Sequence, residues 1–110
     1  MCPIYRGKIT SVIVHQGGIG TVAQSLNAQR PILVVPFGFD QFDNGERIEE
    51  LGIGKCILKS KYSVENAAPI LEELHNNARY QDQASSIGKM VSSEDTLSRS
   101  CDFVEELLYR

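Results

Sequence analysis

Val12-Ile13-Val14-His15-Gln16-Gly17-Gly18-Ile19-Gly20-Thr21 constrains the fold of this chain more than any other stretch. Ser11 to Val14 is an apolar, β-branched run suited to a buried strand, and the expected strand spans Ile9 to Val14. Gly17, Gly18 and Gly20 then crowd a turn at which the backbone bends sharply or lets another group approach closely. From Thr21 onward Val22, Ala23, Ser25, Leu26 and Ala28 can carry a helix. A helix that starts at such a turn offers free backbone N–H groups and the positive end of its dipole, a combination that binds anions and above all phosphates. His15 stands at the carboxyl end of the strand, where open α/β sheets bind their ligands. The first expectation is a phosphate or diphosphate site.

The rest of the chain repeats the alternation. A helix over Thr21–Gln29 stops before Pro31, which disfavours α geometry at Arg30. Ile32-Leu33-Val34-Val35 is apolar at every position, as a parallel strand covered on both faces requires, and Pro36 closes it. After a loop with Gly38 as pivot, Gln41–Leu51 reads as a second helix with Ile48 and Leu51 inward and Gly52 as its stop. Gly54–Leu58 reads as a third strand. Ser63 resembles an N-cap for a helical run through Ala67, Ile70, Leu71, Leu74 and Ala78. Tyr80, Ala84, Ile87 and Val91 continue the spacing after a break near Asn76-Asn77. A last helix is expected from near Ser93, with Glu94 and Asp95 in its first turn and Leu97, Cys101, Val104 and Leu108 on its apolar face.

The order β-α-β-α-β-α-α-α implies parallel strands and right-handed crossovers. The expected fold class is α/β, a partial doubly wound, Rossmann-like parallel sheet with C-terminal helices. Residues 1–110 then form a single partial domain, with a βαβαβ binding region over 9–61 and helices over 62–110. Three parallel strands make a thin sheet with an open edge, as expected of part of a doubly wound domain.

Composition narrows the function. With 110 residues, 42% of them hydrophobic and 23% charged, the chain is globular and small. A net charge of −3 without a basic block speaks against nucleic acid as a partner. No apolar run approaches the roughly 20 residues of a transmembrane segment, and Arg6 and Lys8 interrupt any secretory signal. Cys2, Cys56 and Cys101 have no metal-ligand spacing and read as reduced thiols of a cytoplasmic protein, with Cys56 and Cys101 as plain core residues.

Pro36, Asp40, Gln41, Asn44, Glu46 and Arg47 follow the second strand. In a parallel sheet the ends of the first two strands lie side by side. A ligand with its diphosphate at the glycine turn would thus present another polar group to Asp40 and Gln41. A carboxylate that accepts and an amide that both donates and accepts suit the hydroxyls of a sugar. Gly18-Ile19-Gly20-Thr21-Val22-Ala23 also fits the G-x-G-x-x-G/A dinucleotide fingerprint, with Asp40 as the ribose acid. Against that reading, Pro36 to Phe39 separate the acid from the strand end, and a histidine just before the turn has no role in it.

Together, His15-Gln16-Gly17-Gly18-Ile19-Gly20-Thr21, Pro31-Ile32-Leu33-Val34-Val35-Pro36 and Asp40-Gln41-Phe42-Asp43-Asn44 resemble nucleotide-sugar glycosyltransferases of the two-domain GT-B fold. Within these, the chain resembles the family of UDP-glucuronosyl-, UDP-glucosyl-, sterol glucosyl- and antibiotic glycosyltransferases. Their signature is H-x-G-G-x-G-T, a strand ending in Pro, then D-Q-x-x-N. The resemblance is strong over Ser11–Lys55 and a matter of helical pattern beyond. It implies the second half of a GT-B C-terminal domain. His15 would contact the donor diphosphate, Gly17, Gly18, Gly20 and Thr21 would cradle it, and Asp40 and Gln41 would hold the transferred sugar. It implies no metal and no cofactor, the nucleotide sugar being the substrate: the helix N-terminus and His15 stabilise the leaving diphosphate.

The departures from the family are specific. Ala23 stands where the plant enzymes carry an acid for the ribose, which leaves UDP and dTDP both open. Gln29-Arg30 stands where a Gly usually precedes the strand's Pro. Gly45 replaces the usual Ala, at a helix cost of roughly 0.5–1 kcal/mol. The nucleobase contacts and the N-terminal domain with its catalytic base do not correspond to any part of this chain. It therefore contains no catalytic residue of its own, is expected to be inactive alone, and needs an N-terminal domain, a partner chain or self-association. The alternative functions are a non-catalytic partner subunit of a split transferase and a dinucleotide-binding oxidoreductase fragment. More ordinary readings accompany the site residues. Asp40 can serve as a helix N-cap. Asn44, Glu46 and Arg47 read as a solvated helix face, and Lys55, Lys59 and Lys61 as charges along a strand edge.

Overall fold

Three parallel strands, β1 (Ile13–His15), β2 (Ile32–Val34) and β3 (Gly54–Cys56), lie in the order β1-β2-β3. Ile13 is opposite Ile32 and His15 opposite Val34, while Val34 faces Cys56 on the other side. The computed structural model describes residues 12–38, 40–94 and 96–109. The expected loop before Ile9, the strand positions Ile9–Ser11, and Cys2, Asp95 and the side chain of Leu97 lie outside the described residues.

Between the strands run α1 (Ile19–Asn27) and α2 (Asp40–Leu51); after β3 come a 3-10 turn (Lys59–Lys61), α3 (Val64–Asn76), α4 (Ala78–Ser92) and α5 (Leu97–Leu108). The central strand β2 is completely buried, as its unbroken apolar run requires. Its side chains alternate between two cores. Ile32 and Val34 pack with Val22 and Leu26 of α1, Ile48 of α2, Ile87 and Val91 of α4, and Val104 and Leu108 of α5. Leu33 and Val35 pack on the opposite face with Ile57 and Leu74. Helices therefore cover both faces of a parallel sheet, the α/β architecture expected from the alternation.

Close approaches explain several small residues. A Cβ on Gly45 would lie 2.7 Å from Cys56 Sγ, so the glycine lets α2 settle onto β3 with the thiol filling the space. A Cβ on Gly88 would lie 2.2 Å from the Leu26 carbonyl oxygen, so α4 crosses α1 at backbone contact. Gln29 adopts φ +60° after the end of α1, a left-handed geometry that favours Gly. Gln81 Nε2 donates to its carbonyl at 2.9 Å, holding the bend.

Ser63 caps α3, its Oγ accepting from Asn66 N–H at 3.2 Å, and the chain breaks at Asn77, whose side chain caps α4. Several expected boundaries change. α1 begins at Ile19, inside the glycine turn, and ends at Asn27. β3 ends at Cys56, so Lys59 and Lys61 sit in the 3-10 turn rather than along a strand edge. Lys55 is within β3 and pairs with Glu73 of α3 at 3.7 Å. The last helix starts at Leu97, not near Ser93. Thr96 provides its N-cap by accepting from Arg99 N–H, and Ser93 instead ends α4. A threonine hydroxyl that accepts a helix N–H defines the start more sharply than a pair of acids does. Among the described residues no helix is long and apolar enough to cross a membrane.

Candidate functional site

The turn between β1 and α1 is held from both sides at Gly17. Its N–H donates to His15 Nδ1 at 2.9 Å, and its carbonyl accepts from Asn44 Nδ2 at 2.8 Å. Gly17 itself has φ +98°, and a Cβ there would lie 2.8 Å from Val34 Cγ1. Glycine is therefore demanded at this position by backbone geometry and by packing. Gly18 and Gly20 are different: among the described residues, a Cβ on either would meet no atom within 4 Å. Packing against the described residues does not require glycine there, and among them the space above both residues is open.

Helix α1 has Gly18 as its N-cap, with no side chain capping it and no acid in its first turn. Its first intrahelical bond at this end runs from Val22 N–H to the Gly18 carbonyl at 2.9 Å. The amides of Ile19, Gly20 and Thr21 are the donors that such a helix start leaves unpaired. They carry the positive end of the helix dipole into the open space.

His15 is the last residue of β1 and is buried. Because Nδ1 accepts from Gly17, a neutral ring carries its proton on Nε2. Nε2 is buried without a hydrogen-bond partner among the described residues. Burial pushes the imidazole from 6.5 down to about 4, so it is neutral at physiological pH. The ring borders a cavity of about 380 Å³ shared with Gln16, Phe37, Lys59 and Tyr62. Lys59 Nζ stands 4.6 Å from the Phe37 ring centre. No residue spacing along the chain signals that Lys59 and Tyr62 come beside His15.

The second polar group sits at the end of β2, next to the first. Val35 N–H donates to the His15 carbonyl at 2.8 Å, and the Gln41 carbonyl oxygen would lie 3.4 Å from a Cβ on Gly17. Asp40 is the first residue of α2 and is exposed. Its carboxylate makes no hydrogen bond among the described residues. Gln41 is half-buried and partly engaged. Its Oε1 accepts from Phe37 N–H at 2.8 Å, and its Nε2 lies 3.5 Å from Gln16 Oε1. The structure thus brings His15, Gly17, Gly18, Gly20, Thr21, Asp40 and Gln41 to one end of the sheet.

Two residues behave differently from the solvated face expected of them. Asn44 is buried, donating to Gly17 and accepting from the Tyr109 hydroxyl. Arg47 is half-buried, its guanidinium 5.5 Å from the Tyr109 ring centre and its Nη1 3.2 Å from Glu50. Glu46 is exposed, as expected. A polar residue on a helix reads the same in sequence whether it meets water or a buried carbonyl. Only the positions of the turn and of α5 distinguish the two. Among the described residues no three His, Cys, Asp or Glu side chains gather as a metal-ligand set.

These features define an α/β domain with polar strand ends gathered beside an uncapped helix start. The chain belongs to the family described as erythromycin biosynthesis protein CIII-like, C-terminal domain, whose model matches residues 5–106. It is 29% identical to an uncharacterized UDP-glucosyltransferase, YojK, of Bacillus subtilis over 99 residues, 90% of this chain and 24% of that protein. It is 35% identical to UDP-sugar-dependent glycosyltransferase 52 of Dictyostelium discoideum over 101 residues, 92% of this chain and 6% of that protein. A sterol 3-beta-glucosyltransferase of Aspergillus fumigatus shares 42% identity over 82 residues, 74% of this chain and 6% of that protein. Among solved structures, the glycotransferase of kitacinnamycin superposes with a TM-score of 0.72 at 23% identity, over 89% of this chain and 26% of its own. That likeness bears out the fold, and the family match bears out the resemblance to glycosyltransferases. The chain spans about a quarter or less of the length of these proteins.

Proposed function

We infer that this chain is the donor-binding portion of a glycosyltransferase that moves a sugar from a UDP-sugar to an acceptor hydroxyl. The carrying observation is His15 Nε2, a buried N–H at the end of β1 without a partner among the described residues, beside a helix N-terminus that none of them caps with a side chain. A buried donor left unpaired is costly, and a phosphate oxygen would satisfy it. In this reading Gly17 shapes the turn, Gly18 and Gly20 leave room for the diphosphate, and the amides of Ile19, Gly20 and Thr21 bind its oxygens. The same groups stabilise the negative charge that gathers on the diphosphate as the sugar leaves. Asp40 and Gln41 hold the sugar hydroxyls. The Gln41 amide exchanges its weak contact with Gln16 for a donor hydroxyl. UDP, rather than dTDP, is favoured by the names of the Bacillus and Dictyostelium relatives. In this reading the acceptor site and the catalytic base are supplied from outside this segment. The donor site works without a metal.

The test is an NMR titration of this chain with UDP, UDP-glucose, dTDP and NAD. UDP is expected to shift the amides of Gly17–Thr21, and UDP-glucose to extend the shifts to Asp40 and Gln41. EDTA should leave both unchanged. A His15→Asn variant retains a side-chain acceptor for Gly17 N–H but has no counterpart of Nε2–H. It should weaken UDP binding about tenfold, the loss expected of one hydrogen bond to a charged group. No shift with UDP, or equal shifts with NAD, would refute the donor-site reading.

A further inference from the structure

We propose that Tyr109, just beyond α5, is a positioning residue for the phosphate-binding turn, acting through Asn44. This rests on the donor-site reading above and adds a residue far along the chain from the turn. Tyr109 donates its hydroxyl hydrogen to Asn44 Oδ1. That bond settles which way the Asn44 amide faces. With Oδ1 committed to Tyr109, Nδ2 is directed at the Gly17 carbonyl, which it reaches at 2.8 Å.

The consequence lies in the peptide joining Gly17 to Gly18. A trans peptide is planar, and its C=O and N–H point in opposite directions. Holding the Gly17 carbonyl inward, against Asn44, turns the Gly18 N–H outward, toward the open space over the turn. Gly17 needs such a restraint because a glycine has a wide choice of backbone angles. Its own N–H is already tied to His15 Nδ1 at 2.9 Å, so the two bonds together clamp the residue on both sides.

Asn44 is buried at 1% exposure, away from the bulk solvent that could otherwise replace a lost partner. If the Tyr109 hydroxyl is removed, the amide is free to turn its oxygen toward the Gly17 carbonyl, where two acceptors repel. Tyr109 is itself held in place. The Arg47 guanidinium lies over its ring at 5.5 Å, and Arg47 is tethered to Glu50 at 3.2 Å. Partial burial and the nearby Asp43 carboxylate raise the phenol above its ordinary value, so the hydroxyl remains a donor at physiological pH. Because Tyr109 follows α5, any shift of that helix against α2 reaches the turn by this route.

The experiment compares this chain with its Tyr109→Phe variant, which keeps the ring under Arg47 and removes only the hydroxyl. Two readouts separate the proposal from the donor-site reading. The first needs no ligand: the Gly18 amide resonance should move or broaden in the variant, with the melting midpoint within about 5 °C of the parent. The second is UDP affinity by NMR titration, expected to fall about three- to tenfold, the worth of one hydrogen bond. An unchanged Gly18 resonance overturns the relay whatever the ligand does. A shifted Gly18 with equal UDP affinity in both proteins overturns its role in positioning, while the donor site stands. Absence of UDP binding to the parent chain refutes the donor site and, with it, the positioning role.

Discussion

Asn44 donates its amide to the Gly17 carbonyl at 2.8 Å, tying the first turns of α2 to the glycine turn that follows β1. This bond spans 27 residues of sequence and makes the two polar strand ends one unit. It also accounts for a buried asparagine that would otherwise be expensive to place in a core.

Asn44→Ala should therefore destabilise the chain by about 2 kcal/mol, because it leaves both the Gly17 carbonyl and the Tyr109 hydroxyl without their partner. Urea denaturation monitored by circular dichroism measures this. A midpoint equal to that of the parent protein would show that the bond contributes nothing to the fold.

His15 makes stability depend on pH. The unfolded imidazole takes a proton below about 6.5, whereas burial holds the folded one at about 4. Between those values the unfolded state binds more protons, so stability rises with pH. The contribution is complete above about pH 6.5 and is lost as pH falls toward 4. It amounts to about 3 kcal/mol at most. Denaturation curves of the parent and of His15→Asn across this window should differ in slope, the variant being flatter. Parallel curves would contradict the assigned burial of the ring.

Gly45 and Cys56 should be coupled. Gly45→Ala puts a methyl group 2.7 Å from Cys56 Sγ and should cost about 1–3 kcal/mol by overpacking. In a Cys56→Ala background the space is free, and the penalty should shrink by at least about 1 kcal/mol. A double-mutant cycle reads this directly, and additive effects would mean that the two residues do not compete for the same volume.

Gln29→Gly should stabilise the chain. The residue sits at φ +60°, which costs a side-chain-bearing residue about 1–2 kcal/mol, and part of that gain is offset by the greater freedom of the unfolded glycine. The net rise should be up to about 1 kcal/mol, seen as a higher melting midpoint. A fall would indicate that packing of the Gln29 side chain over Gly88 outweighs the relieved backbone.

The alternation of strands and helices, the glycine turn and the placement of His15, Asp40 and Gln41 at one sheet end were legible from residue order. Each depends on local chemistry: β-branched runs make strands, glycines permit the turn, and parallel strands bring their carboxyl ends together. The cap at Ser63 and the break near Asn77 were legible for the same reason, since each rests on neighbouring residues, whereas the capping of α4 by the Asn77 side chain was not. The start of α5 was misread because two acids suggested a helix N-terminus four residues early, while the hydroxyl that caps it belongs to Thr96.

Tertiary packing decided the rest. Whether Asn44 meets water or a carbonyl depends on where the turn at Gly17 and the end of α5 come to lie, and no local pattern encodes that. Arg47 stacks on Tyr109 across 62 positions of sequence for the same reason. Gly45 is a costly helix residue until Cys56 stands against it, and Lys59, though exposed, comes to border the His15 cavity only through the fold. Local propensities act over a few residues and set the elements and their order. The orientation of polar groups between elements is set by long-range packing, because a buried hydrogen bond needs both partners in place before either position has a meaning.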